Sequence, residues 1–378
     1  MKIIVASDSY KGCMSSGEVA EVMERAILDV DPSIEVCKVM IADGGEGFVE
    51  AMVNACRGRV RTCRCVDSML TPIEGQYGVI FNDTAVIEVA KIIPLIKRKG
   101  ITLHPEKCSS FGVGLMIKEA IAQGYRKVLI GLGGSCTNDG GMGLLNALGV
   151  NFYDQYGSKL YPKAENLAYI DSVDVSHMLD VSHLEVTVAC DVKNPLLGPN
   201  GATYVFGPQK GVSEVWLPIL ENGMENYRNK IQEAMGIDLN AYAGGGAAGG
   251  IGSVLLGCLS AKMQMGIEVV LDACNFDELL EGAAVVFTGE GQTDAQSLQG
   301  KAVFGILNHA KAKNVPLLCI SGALKEGYQK LYDYGVSGCY SIISSPMPYP
   351  QAFQLARRNL YNTTYSLVKT ICANRGRE

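Results

Sequence analysis

The sequence predicts an α/β protein built on a doubly wound, five-stranded parallel sheet of Rossmann-like type, in a discontinuous domain with a mixed α/β domain inserted in it. Three observations lead there. The opening residues alternate strand-like and helix-like patterns twice, as a βαβα unit does. The same rhythm returns after Ala284 with three more strands, while the stretch between changes to closely spaced strand-like runs joined by short turns. At 378 residues the chain also exceeds the size at which one hydrophobic core stops growing. Two domains are therefore expected, 1–58 with 283–378, and 59–282.

Each element follows from local chemistry. Residues 3–7 are a short apolar run stopped by Asp8, as in a buried strand. Val19, Val22, Met23, Ala26, Ile27 and Val30 then recur at helical spacing; Ser15 and Glu18 form a capping box ahead of them, and Asp31-Pro32 ends the helix. A second strand over 34–42 runs into Asp43-Gly44-Gly45-Glu46-Gly47, where another helix begins. Residues 60–66, 73–81 and 84–89 are strand-like and separated by Thr71-Pro72 and Asn82-Asp83, which predicts antiparallel pairing. A helix over 109–123 leads into a strand over 128–132, a loop of Gly, Ser, Thr, Asn and Asp, and a short helix stopped by Gly149. Hairpin-like sequence surrounds Tyr156-Gly157; strands over 185–190 and 202–206 and helices over 217–233 and 251–263 follow. Strands at 285–288, 317–320 and 339–343 complete the sheet, and the last helix, from Gln351, carries Leu355, Leu360, Leu367, Val368 and Ile371 on one stripe.

Composition narrows the function. A hydrophobic fraction of 48% with 19% charged residues describes a soluble globular chain with a sizeable core. A net charge of -6 disfavours nucleic acid and anionic membranes as partners, and the one tight basic cluster, Lys97-Arg98-Lys99, reads as a solvated turn. Thirteen cysteines, with no C-x-x-C pair and no secretory pattern at the start, suit a reduced cytoplasmic setting. Oligomerisation is left open, a homo-oligomer included.

Six predicted strands stop in clusters of Asp, Gly, Ser, Thr or Asn, at 8–12, 43–47, 133–141, 191–195, 290–294 and 321–323. Any one cluster is more often a helix N-cap than a site. Six together point to a ligand crevice, which in open α/β sheets lies beyond the carboxyl ends of the strands. Asp8, Asp43, Glu46, Asp191, Glu290 and Asp294 bring negative charge, and Lys11, Lys193, Lys210 and Lys301 positive charge. Carboxylates facing a Gly-rich anion cradle repel phosphate unless a divalent cation lies between them, and Mg²⁺ held by one or two carboxylates and substrate phosphates meets that need. Phosphoryl transfer uses this set of groups.

Other motifs fit less well. Gly131-Leu132-Gly133 begins a dinucleotide fingerprint, but Cys136 stands where its third Gly belongs. Gly300-Lys301 lacks the Ser or Thr of a Walker loop, and none of the four histidines lies in a glycine loop, which weakens hydrolase-triad and zinc readings. The run GGGAAGGIG at 244–252 is either a second anion loop or a site of close helix packing.

Together the motifs resemble the bacterial type-I glycerate kinases along nearly the whole chain. The carrying stretches are DSYKG at 8–12, ADGGEGF at 42–48, TAVIEVA at 84–90 and GLGGSCTNDGGMG at 131–143. CDVKNPLLGPNGA at 190–202, FGPQKG at 206–211, GGGAAGG at 244–250 and TGEGQTDAQSLQGK at 288–301 complete them. Tyr10, Cys136 and Gln292 depart from the family's usual Phe, Ala and Arg, and Gln292 removes a positive charge from its loop. The resemblance implies ATP-dependent phosphorylation of D-glycerate at the 2-hydroxyl, with the active site in a cleft between two domains. Carried onto these residues, Asp191 orients or deprotonates the glycerate hydroxyl, unless it only forms an Asx-turn before Pro195. Lys11 is the cation for the substrate carboxylate or the transferring phosphate, unless it is a solvated loop lysine. Asp8, Ser9, Gly133, Gly134, Ser135, Asn138 and Lys301 are assigned to phosphate or substrate binding, and Asp43 and Asp294 to Mg²⁺. Glu46, Glu88 and Glu290 are alternatively caps or loop supports. A Rossmann-type dehydrogenase and a non-catalytic sugar-acid sensor are the alternatives.

Overall fold

The computed structural model describes residues 1–95, 104–298 and 302–375. The principal elements of the first half are β1 (Lys2–Ser7), α1 (Ser16–Val30), β2 (Glu35–Met40), α2 (Phe48–Ala55), β3 (Arg59–Val66), β4 (Pro72–Ile80), β5 (Thr84–Glu88), α3 (Phe111–Ala122), β6 (Lys127–Gly131) and α4 (Met142–Ala147). They continue as β7 (Glu185–Ala189), α5 (Trp216–Met235), α6 (Ile251–Cys258), β8 (Lys262–Gln264), α7 (Gly266–Ala273), β9 (Ala283–Thr288), α8 (Ala302–Ala312), β10 (Leu317–Ser321), β11 (Gly338–Ser341) and α9 (Tyr349–Arg375). The chain forms two compact units.

One unit comprises Met1–Asp43, Asn54–Cys56 and Ile267–Glu378. Its sheet runs β11-β10-β9-β1-β2, all parallel, so the five-stranded parallel sheet read from the sequence is present. Ile3, Ile4 and Val5 are fully buried, as a strand covered on both faces requires. On one face Ile3, Val5 and Phe287 pack with Val19, Met23 and Ile27 of α1 and Leu360 and Val368 of α9. Helix α8 packs against β1, β9 and β10. The capping box at the start of α1 forms as expected, with the Ser15 hydroxyl accepting from the Glu18 N–H and the Glu18 carboxylate accepting from the Ser15 N–H. In strand order 2-1-3-4-5, connections leave in opposite directions from β1 and β9, and the crevice of such a sheet opens at that switch point.

The second unit comprises Gly44–Val53 and Arg57–Gly266. Its six-stranded sheet runs β8-β7-β6-β5-β4-β3, parallel from β8 to β5 and antiparallel from β5 to β3. The antiparallel pairing expected over 60–89 is therefore found. Residues 44–53 belong here because Gly44 seats against the Ala189 carbonyl and Gly131, and Glu88 accepts from Gly47 and Val49 at the start of α2.

Three local readings differ. Residues Ala202–Phe206 form a π-helical turn rather than a strand; Ala202 and Thr203 are buried while Tyr204 and Val205 are exposed, which lacks the strand's alternation. The helix expected over 251–263 stops at Cys258, beyond which Ser260 has φ 51° and Lys262–Gln264 pair with Thr187–Ala189 as β8. Near Tyr156-Gly157, Asn151–Tyr153 pairs with Ser172–Asp174, so the local turn is not the main hairpin.

Candidate active site

In the first unit, the ends of β1 and β9 meet at the switch point. The Asp8 N–H and the Ser7 hydroxyl both donate to the Gly289 carbonyl, at 2.9 and 3.0 Å, which fixes the two loops together. The Asp8 carboxylate accepts from the Ser9 N–H at 2.6 Å. Burial raises its pKa from 3.8 to about 6, the carboxylates of Asp43 and Glu290 add to the shift, and Lys11 opposes it. The Lys11 ammonium lies 3.7 Å from Asp43 and is held protonated above its ordinary range, chiefly by that carboxylate. Glu290 accepts from Thr293 and Ser297, and the Thr293 hydroxyl is 2.7 Å from that of Ser321, so the loop after β9 is tied to the end of β10. Asp294 accepts from Gln292 at 3.3 Å, and its own N–H bonds to Ser297.

In the second unit, the parallel strands end in Glu88, Gly131 and the Cys190-Asp191 pair. The Gly133 N–H donates to the Gly44 carbonyl at 2.9 Å, and a side chain at Gly133 would run into Gly45. That close approach, rather than ligand access, accounts for a glycine there. Within 131–140, Gly134 is exposed and Gly133 half-buried, while Ser135, Thr137, Asn138 and Asp139 are buried. Ser135 accepts from Lys210 at 3.1 Å, and the Asn138 amide donates to Thr203 at 3.2 Å. Asp139 accepts from the Ser110 N–H and hydroxyl, both at 2.7 Å, and from Gly141 and Gly143 at 3.2 Å. It is a structural carboxylate; burial raises its pKa and these bonds oppose the shift. Asp191 is exposed beyond β7 and accepts from the Gly266 N–H at 3.1 Å. In the run 244–252, Gly249 seats against the Thr137 carbonyl and Gly250 against Gly140, which is the packing alternative.

The residues expected from the sequence thus divide. Asp8, Ser9, Lys11 and Asp43 come together in the first unit, and Glu290 joins them, whereas Asp294 bonds within its own loop. Gly134 is exposed in the second unit, whereas Gly133 is half-buried with its N–H on Gly44, and Ser135 and Asn138 lie beneath the loop surface. Lys301 lies outside the described residues. Glu88 caps α2, one of the roles open to it. From the sequence, Lys210 counts only among the positive charges of the strand-end loops; its burial shows once the turn at 202–210 is folded. Among the described residues, no group of three or more His, Cys, Asp or Glu could hold a metal unaided, and no helix is long and apolar enough to cross a membrane.

Residues 3–372 match the glycerate kinase family. The chain is 36% identical over 369 residues to a glycerate kinase of Bacillus cereus, covering 97% of each chain. It is 35% identical over 378 residues to the glycerate 2-kinase of Escherichia coli, covering 98% of each. A crystal structure from Salmonella typhimurium LT2, described as a candidate glycerate kinase 2, has a TM-score of 0.85 and 35% identity, over 100% of this chain and 99% of that one.

Proposed function

The chain belongs to the glycerate kinase family, and from that premise we propose that it transfers the γ-phosphoryl group of ATP to the 2-hydroxyl of D-glycerate. The observation that carries the reading is the gathering of Asp8, Asp43 and Glu290 around Lys11 at the switch point of a parallel sheet. Carboxylates close enough to raise the pKa of Asp8 favour a cation among them, and this donor set fits Mg²⁺ held by one or two carboxylates with substrate oxygens. Asp43 is the first candidate ligand and Asp294 the second; bound Mg²⁺ would neutralise charge on the transferring phosphate. Lys11 pairs with an anionic substrate oxygen, and Asp8 and Ser9 contact substrate beside it. Asp191 orients or deprotonates the acceptor hydroxyl. Gly134 offers its backbone N–H to phosphate in preference to carboxylate, since the Gly133 N–H is taken by the Gly44 carbonyl.

Purified protein with ATP, Mg²⁺ and D-glycerate should release ADP. No release, with glycerate still bound, would replace the enzyme reading by a sensor. Coupling the product to enolase without phosphoglycerate mutase should give signal at once. A requirement for the mutase would move the transfer to the 3-hydroxyl.

A further inference from the structure

We propose that Lys210 is a positioning residue that holds the loop 133–137 in shape and supplies the positive charge with which it takes the anionic oxygens of a substrate. The proposal rests on the kinase reading and adds a group to it. The anion is either the polyphosphate of the nucleotide or the carboxylate of glycerate.

Lys210 closes the helical turn Gly207–Lys210, begun by Pro208 near its start and ended by Gly211 at φ 98°. That turn sends the side chain inward, where the residue is 4% exposed. The ammonium donates to the Ser135 hydroxyl at 3.1 Å and the Thr137 carbonyl at 2.7 Å, bracketing Cys136, two residues past the exposed Gly134. An ammonium has three donors, and among the described residues the third meets no acceptor. Among the described residues no carboxylate forms an ion pair with it; Asp139 accepts instead from Ser110, Gly141 and Gly143. A buried ammonium without an ion pair costs stability, because Cys136, Asp139 and Cys108 offset its burial only in part, so fold maintenance alone does not explain it. An anion at Gly134 would complete its charge.

The titratable groups facing Lys210 are Cys136 and Asp139 from the loop after β6 and Cys108 from the segment before α3. Burial lowers the Lys210 pKa from 10.5 to about 8, against the raising effect of those three. The native state therefore gives up this proton before the unfolded state does. Its destabilising charge is relieved as pH rises from about 8 towards 10.5, over the range in which anion affinity should fall.

The test compares wild type with Lys210→Met in turnover, in calorimetric titrations with inorganic tripolyphosphate and with D-glycerate, and in thermal stability. The variant should melt no lower than wild type at pH 7, with any advantage shrinking above pH about 8. One substrate's KM should rise roughly tenfold or more. A rise for ATP with loss of tripolyphosphate binding assigns the loop to phosphate; a rise for glycerate assigns it to the carboxylate. Wild-type affinity for that anion should weaken about tenfold per unit above pH about 8, and Cys136→Ala should keep that dependence. Unchanged KM values and unchanged titrations in Lys210→Met overturn the proposal. Should the variant fail to fold, a pH-independent wild-type affinity overturns it alone. Absence of wild-type turnover would sink the kinase reading, while the two titrations still decide the role of Lys210; binding of neither probe overturns it.

Discussion

Burial raises the Asp8 carboxyl to about 6, with the charges of Asp43 and Glu290 adding to it, so at neutral pH it stays ionised at a cost to the fold. The unfolded chain would ionise it near 3.8, so the native state binds the extra proton between the two values. Stability from this residue is present below about 3.8 and lost as pH rises to about 6. Asp8→Asn removes the cost. Measured without nucleotide or Mg²⁺, its melting temperature should exceed wild type by a degree or more at pH 7, roughly as one kcal/mol moves a chain of this size, and match it at pH 3. Its kcat/KM should fall, and the acid limb near pH 6 in the wild-type profile should be missing. A variant that is more stable and fully active would show that the carboxylate is not needed for turnover.

Three helices begin on a carboxylate. Glu88 at the end of β5 accepts from Gly47 and Val49 at the start of α2, and Asp139 accepts from Ser110 just before α3 and from Gly143 in the first turn of α4. Glu88→Ala should destabilise by about 1–3 kcal/mol in urea unfolding, with Glu88→Gln losing less because one acceptor remains. Asp139→Ala leaves buried donors on two helices unpaired and should cost about 3 kcal/mol or more. Equal stability of Asp139→Ala and wild type would remove it from the architecture. These caps also mark how far the sequence could be read. The Ser15–Glu18 box spans three residues and was legible, whereas Glu88 meets Gly47 across 41 residues, which no local pattern reveals. The apolar runs of β1, β9 and β10 were legible because both faces are buried. The turn at Ala202–Phe206 was not, because β-branched and aromatic residues there follow packing rather than propensity. Ser135 and Asn138 were read as ligand contacts from residue type alone; burial beneath Gly134 is a tertiary fact.

Across the whole molecule, the proposed chemistry draws on both compact units. Lys11, Asp8 and Asp43 belong to one and Asp191 and Gly134 to the other, and the chain first crosses between them at Asp43–Gly44. If groups from both units act in one phosphoryl transfer, each is needed for turnover. Asp191→Asn keeps an oxygen for the Gly266 N–H but loses the charge, so kcat should fall roughly a hundredfold or more with little change in melting temperature. Lys11→Ala removes an exposed ammonium 3.7 Å from Asp43 and should raise one KM or lower kcat, again without unfolding. The double variant separates the possibilities. Residues that serve one transition state lose their effects non-additively, so the pair should be scarcely slower than the worse single variant. Losses in kcat/KM that multiply would mean that the two act independently. Unchanged kcat and KM values in Lys11→Ala would return it to a solvated loop, leaving the chemistry to the strand ends of the other unit.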